Sequence, residues 1–358
     1  MSIDRTMPYI AGITTATPPN LLRQRDAKRF ASELFGGDIG HLLPVFDNAL
    51  IDERHFATEI EWFFQPHSFT EANDRYIEVS LALAEEVVTK LAASGGIGTD
   101  EFDAIFFVST TGLSTPSIDA RLFNRIHFNS HIKRIPIWGL GCAAGVGGIA
   151  RASEYVRAFP THRALVVSTE LCSLAFQLHD RSKSNIIAAA LFADGAAACL
   201  VAGDEVPRPR NGLAHPSIVG TLSTTYSNTL DVMGWRISSE GFQIVLSRDI
   251  PSIVTSLVRE NIEEILGTHT LTIPDIKHYI AHPGGAKVME AYAEALHLAN
   301  GELQPSFDIL RSHGNMSSAT VFFIMERVLC ETRGEMGSYG LAAALGPGFS
   351  SELVLLQW

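Results

Sequence analysis

Short apolar runs of strand length recur along this chain, and their spacing limits its fold more than any other feature. Residues 104–109, 135–140, 164–168 and 197–202 read as buried strands. Between them, residues 118–126 and 143–159 read as helices, the second rich in Ala and ending near Pro160. Strands alternating with helices predict an α/β chain whose sheet is covered. The stretch GDEVPRPRNG at 203–212 is polar, carries two prolines, and is the best linker candidate. Beyond it the theme returns, with strands expected at 218–226, 242–246, 278–281, 341–344 and 353–357 and helices at 252–266, 286–298 and 317–330. A chain of 358 residues, 46% hydrophobic and 18% charged, exceeds the usual single-domain length, so two domains or two fused halves are expected. No internal repeat in the sequence proves a duplication.

The formal net charge of −12 argues against a general affinity for nucleic acid or an anionic membrane, both of which need a basic surface. An anionic substrate must therefore find a local basic group or a helix terminus. The four cysteines, at 142, 172, 199 and 330, show no CxxC pairing, so neither a zinc site nor a disulfide framework is indicated. They read as reduced thiols of a cytoplasmic protein. The N-terminal MSIDRTMPYIAGI lacks the flank and apolar core of a signal peptide, and the longest apolar run, 186–202, is interrupted by Asp194. No membrane span is expected.

Three segments can carry chemistry. In RIPIWGLGCAAGVGGIA, residues 134–150, an apolar strand runs into glycine, then Cys142, then a helix of very small residues. A thiol at a strand-to-helix turn faces backbone N–H groups that carry about half a positive charge, which suits a thiolate and an oxyanion. A buried inert cysteine in a packing turn is the plainer alternative. In IKHYIAHPGGAK, residues 276–287, a strand ends at His282 ahead of Pro283, Gly284 and Gly285. In SHGNMSSAT, residues 312–320, Asn315 precedes a helix of small residues and could simply cap it. Together a Cys, a His and an amide could hold a thioester on sulfur and polarise a second thioester carbonyl. A papain-like hydrolase also uses Cys, His and Asn, but its CGSCW-like context and secretory features are absent.

GCAAG, HPGG and GNMSSA, in this order, resemble the type III polyketide synthases, the chalcone and stilbene synthase family. STTGLSTPS at 109–117, LFADGAAA at 191–198 and GPGFSSE at 346–352 extend the likeness to nearly the whole chain, nearest to bacterial enzymes making alkylpyrones and alkylresorcinols from fatty acyl-CoA. The resemblance implies the thiolase fold, two similar αβαβα halves with mixed sheets covered by helices, divided as 1–205 and 206–358, and a homodimer. It implies that Cys142 takes the starter acyl group and holds the growing chain. His282 and Asn315 then polarise malonyl-CoA and stabilise the enolate, His282 also keeping Cys142 as thiolate.

Further positions follow from the same resemblance. Phe192 matches the aromatic gate between CoA tunnel and cavity. Thr111 and Thr115 fall where the family lines the cavity, Thr115 replacing a methionine that plant enzymes insert from the partner subunit. Gly284, Gly285 and Ser317 belong to the substrate-facing motifs. Three departures from the plant pattern remodel the pocket: Ile244 for a second gate phenylalanine, Ala175 for a cavity-floor threonine, and Trp235 for a glycine. Lost aromatic bulk at the gate suits an aliphatic starter. The plant lysine and arginine that grip CoA phosphates are not matched; Arg54 and Lys287 are the candidates. No cofactor and no metal is expected, since decarboxylative condensation needs neither and CoA is only the substrates' handle. An initiating ketoacyl-ACP synthase, whose histidine is followed by Gln-Ala-Asn, and a non-catalytic acyl-CoA-binding protein are the alternatives.

Overall fold

A computed structural model describes residues 7–209, 214–299, 301–332 and 336–358. Among them, nine strands form one mixed sheet. Its order begins Lys133–Ile137, Ala104–Val108, Arg163–Leu171, Asp194–Ala202, Tyr9–Ala16 and continues Ser217–Thr225, Ser350–Gln357, Tyr339–Gly346, Ile276–Ala281. The join between the two sets is narrow. Tyr9 pairs with Ser217, the Ile10 N–H donates to the Pro216 carbonyl at 3.0 Å, and the Ile218 N–H to the Pro8 carbonyl at 2.7 Å.

Outward from that join the two sets wind alike. Each has two antiparallel pairings, then strands that run parallel, and the first set adds Lys133–Ile137 at its edge. The sheet folds over two central helices, Ala144–Ala158 and Thr320–Thr332, which pack on strands of both sets. Helix Phe69–Gly95 covers the outer face of the first set, and helices Ile250–Gly267 and Ala286–Leu296 cover the second. These five layers are the thiolase architecture. Residues of both sets, among them Ile10, Val166, Ile280 and Leu356, share the central core.

Small residues allow this closeness. A Cβ on Gly145 would stand 2.3 Å from the Ser318 carbonyl oxygen, so the N-terminal ends of the two central helices meet only because Gly145 has no side chain. The 27-residue helix Phe69–Gly95 opens with a capping box, Glu71 N–H to Ser68 Oγ at 3.2 Å and Ser68 N–H to Glu71 Oε2 at 2.8 Å. The sequence reading did not name this helix, although the Ser-x-x-Glu signal was there to find it.

Two expectations are corrected. Residues 135–140 are not a buried strand: Lys133–Ile137 is a partly exposed edge, where Pro136 costs no ladder hydrogen bond, and Trp138 beyond it is 50% exposed. The helix expected at 118–126 ends at Leu122. The candidate linker lies partly outside the described residues; within them, Tyr9 donates its hydroxyl to the carbonyls of Val206 and Pro207 at 3.1 and 3.0 Å, holding this segment on the core.

Candidate active site

Cys142 lies in the single turn Gly141–Ala143 that leads from the edge strand into helix Ala144–Ala158. Gly141 adopts φ +48, and a Cβ there would stand 2.6 Å from Pro347, so the GPGF loop closes directly on the cysteine turn. The half-buried Sγ is 3.5 Å from the Ser317 hydroxyl. Ser317 itself holds φ +49, a strained conformation for a residue with a side chain.

Asn315 opens the turn beneath it. Its Oδ1 accepts the Ser317 N–H at 2.8 Å, which settles the orientation of the amide: the NH₂ faces the HPGG turn, 3.4 Å from the Gly284 carbonyl. The oxygen therefore closes a local turn onto the Ser317 N–H instead of capping the helix, whose N-cap is Met316, and the donor end is left facing the HPGG turn. His282, at the end of strand Ile276–Ala281, donates its main-chain N–H to Ala343 at 2.8 Å, and its carbonyl accepts from Gly284 at 3.1 Å. The residue is 4% exposed, and neither ring nitrogen has a hydrogen-bond partner among the described residues. A chain of contacts thus links Cys142, Ser317, Asn315, Gly284 and His282. Gly285, φ +147, starts helix Ala286–Leu296 and faces Leu191.

Burial sets the charge states. It pushes the Cys142 thiol up to about 11, the Ser317 hydroxyl drawing it back, and lowers the His282 imidazole to about 4. The low-dielectric setting thus penalises the thiolate of Cys142 and the imidazolium of His282 alike.

Phe192, Trp235, Ile244 and Ala175 line one cavity together, walled further by Phe30, Leu34, Phe46, Phe63 and Phe176. Trp235 and Ile244 are cross-strand partners in the hairpin formed by Met233–Ser238 and Gly241–Leu246, and the Trp235 ring lies 6.3 Å from Phe192. Thr111 is not in this lining; buried, it lines a smaller cavity with Leu174, Gln177 and Phe242, and its hydroxyl donates to Glu170 Oε2 at 2.9 Å. Thr115 is on an exposed loop and does not line this cavity within one protomer. Lys287 is exposed on the first turn of its helix.

Arg54 corrects another expectation. It is 1% exposed, and its Nη1 donates to the carbonyls of Ala189 and Phe192 at 2.8 and 2.6 Å, so it cannot reach CoA phosphates at the surface.

Glu170 was missed. Wholly buried at the end of strand Arg163–Leu171, it accepts from Ser318 Oγ at 2.5 Å, Thr111 Oγ1 at 2.9 Å and Thr110 N–H at 3.0 Å, and Ser318 reaches Ser168 at 2.9 Å. Burial, opposed by the Ser318 hydrogen bond, raises its carboxyl to about 7. A lone acid in the apolar run ALVVSTEL was the available signal.

A family model for the chalcone and stilbene synthase C-terminal domain matches residues 218–358, and one for FAE1/type III polyketide synthase-like proteins matches residues 58–282. The chain belongs to the type III polyketide synthases. A putative chalcone synthase of Bacillus subtilis is 43% identical over 98% of this chain and 99% of its own length. The 1,3,6,8-tetrahydroxynaphthalene synthase of Streptomyces peucetius is 37% identical over 98% of this chain and 93% of its own. An α-pyrone synthesis polyketide synthase-like protein of Mycobacterium tuberculosis is 28% identical over 98% and 91%. The crystal structure of 1,3,6,8-tetrahydroxynaphthalene synthase from Streptomyces coelicolor superposes with a TM-score of 0.91 at 27% identity, covering 98% of this chain and 99% of that one. As a type III polyketide synthase the chain is a condensing acyltransferase dependent on malonyl-CoA, which decides against the initiating ketoacyl-ACP synthase.

Proposed function

We propose that this type III polyketide synthase extends a medium- or long-chain fatty acyl-CoA and releases alkylpyrones, alkylresorcinols or both. The observation that carries the reading is the cavity walled by Phe30, Leu34, Phe46, Phe63 and Phe176 and lined also by Phe192, Trp235 and Ile244. Its apolar wall suits an alkyl chain, and Ala175 leaves room on the floor.

In the proposed sequence, Cys142 Sγ attacks the starter thioester as its proton passes to the neutral His282 ring, and departing CoA takes that proton up. The acyl group is then on sulfur. Malonyl-CoA next loses CO₂, and the electron pair of the broken C–C bond moves onto the thioester oxygen as an enolate. A His282 N–H and the Asn315 NH₂ both face that oxygen as donors. The enolate carbon attacks the acyl-cysteine carbonyl, forming the new C–C bond and freeing the Cys142 sulfur. The unpartnered ring nitrogens of His282 support this role, since a buried polar atom without a protein partner needs one from elsewhere. The electrons balance without metal or redox cofactor. Lys287 remains the candidate contact for a CoA phosphate.

Incubation with malonyl-CoA and acyl-CoAs of graded length, read by product mass, tests the reading. Alkyl-bearing pyrones or resorcinols support it, and bound but unchanged acyl-CoA would show a non-catalytic binder. The names of the Streptomyces relatives favour a second reading, with tetrahydroxynaphthalene as the product. Formation of that product from malonyl-CoA alone would replace the first.

A homodimer is also proposed. Trp138, Leu113 and Phe159 expose apolar surface, Trp138 beside the edge strand Lys133–Ile137. No helix among the described residues is long and apolar enough to cross a membrane, and a cytoplasmic location is proposed from the unpaired cysteines.

A further inference from the structure

Arg54 sits on the short strand Glu53–Phe56 and touches both ends of the place where the two halves of the site join. Its stem lies against the chain just before Asn315: a Cβ on Gly314 would stand 2.7 and 2.8 Å from Arg54 Cγ and Cδ, and Gly314 has φ +73. Its head closes the C-terminal end of helix Lys183–Leu191 through the Ala189 and Phe192 carbonyls, where a cation is favoured. Phe192 and Asn315 are themselves bridged main chain to main chain. The guanidinium lies 5.1 Å over the Phe56 ring, and its Nε and Nη2 are buried without partners among the described residues. Buried Asp194, whose oxygens accept from Ser173 and Ala57, supplies the opposing charge.

A buried cation with two idle donors is a poor way to gain stability, since an apolar side chain of similar volume often does as well. The geometry it enforces is the better explanation. We propose that Arg54 is a positioning residue that holds the Phe192 gate and the Asn315 amide in one fixed arrangement. This rests on the assignment of Asn315 as a donor to the malonyl thioester.

Arg54→Met and Arg54→Lys test it, with rates expressed per folded protein from circular dichroism melts. CO₂ release and product formation are followed with malonyl-CoA and with malonyl-pantetheine, which lacks the nucleotide phosphates. A positioning role predicts that Arg54→Met loses about 10-fold or more in kcat with both donors, with KM changed less than about 2-fold, and that Arg54→Lys recovers part of the loss. Unchanged kcat per folded protein overturns the inference. So does a KM increase confined to malonyl-CoA, which would mark a phosphate contact. Should Arg54→Met fail to fold, a reduced kcat in Arg54→Lys supports the role and a full one overturns it. Asn315→Ala in the same assay separates the two ideas: if it keeps full CO₂ release, the assignment of Asn315 falls, whatever the Arg54 variants do.

Discussion

Phe192 and Asn315 are fastened to each other through their neighbours: the Ala193 N–H donates to the Asn315 carbonyl and the Asn315 N–H to the Leu191 carbonyl, each at 2.9 Å. The Phe192 ring and the Asn315 amide therefore hang from one shared main-chain bridge. Phe192→Ala removes the ring and keeps that bridge. Its expected outcome is CO₂ release from malonyl-CoA within about 3-fold of the unmodified enzyme, while the preferred starter shifts towards bulkier acyl groups. Competition assays with mixed acyl-CoAs check this, and equal loss in both readouts would contradict it.

Cys142→Ala removes the only thiol on the turn between the edge strand and the central helix. Chain extension should fall below detection by product mass, while Cys172→Ala, Cys199→Ala and Cys330→Ala keep it. Cys172 lines the same cavity as Phe192 and Ala175, so its variant is the sharpest control. Full extension by Cys142→Ala would end the proposed mechanism.

Stability should depend on pH through two opposed groups. His282 titrates near 4 in the fold against an ordinary 6.5, so the unfolded chain binds the proton first. Stability from this group is lost as pH falls from 6.5 to 4, by up to roughly 3 kcal/mol. Glu170 is raised from 4.5 to about 7, so its contribution is full below 4.5 and is lost as pH rises through 7. Glu170→Gln removes only the second slope. Thermal melts between pH 4.5 and 7 should then rise more steeply with pH than those of the unmodified protein, and parallel curves would refute the assignment.

Ala175→Phe adds a ring to the cavity floor. It should reduce kcat/KM for long acyl-CoAs by about 10-fold relative to short ones, at an overpacking cost of about 1–3 kcal/mol in stability. A chain-length series with a melting curve checks both, and a uniform loss at every length would show that Ala175 does not meet the acyl tail.

The residues that could be read from sequence are those whose setting is local. Cys142, His282 and Asn315 each follow a glycine or end a strand within a few residues of a turn, and that is enough to single them out. Arg54 could not be read this way. Its neighbours in sequence are Glu53 and His55, whereas its carbonyl partners are Ala189 and Phe192, so ERHF looks like a surface strand until the chain is folded. Glu170 is similar, since the burial that raises its carboxyl comes from the depth of the central layer, and the groups that oppose it, Ser318, Thr110 and Thr111, lie on distant segments. Residues 135–140 were misplaced because apolar content signals burial only when something covers the strand, and Lys133–Ile137 is the last in its sheet. The run 186–202 divides at Phe192 into helix Lys183–Leu191 and strand Asp194–Ala202, a break that hydrophobicity alone does not mark.

The sharing of the central layer by both sets of strands bears on the life of the chain before it is an enzyme. Cys142 is synthesised well ahead of His282 and Asn315, and the turn that holds it is closed by Pro347, near the C-terminus. Contacts of such long sequence separation form late in folding. A partly made chain thus carries Cys142 before His282, Asn315 and Pro347 exist to surround it.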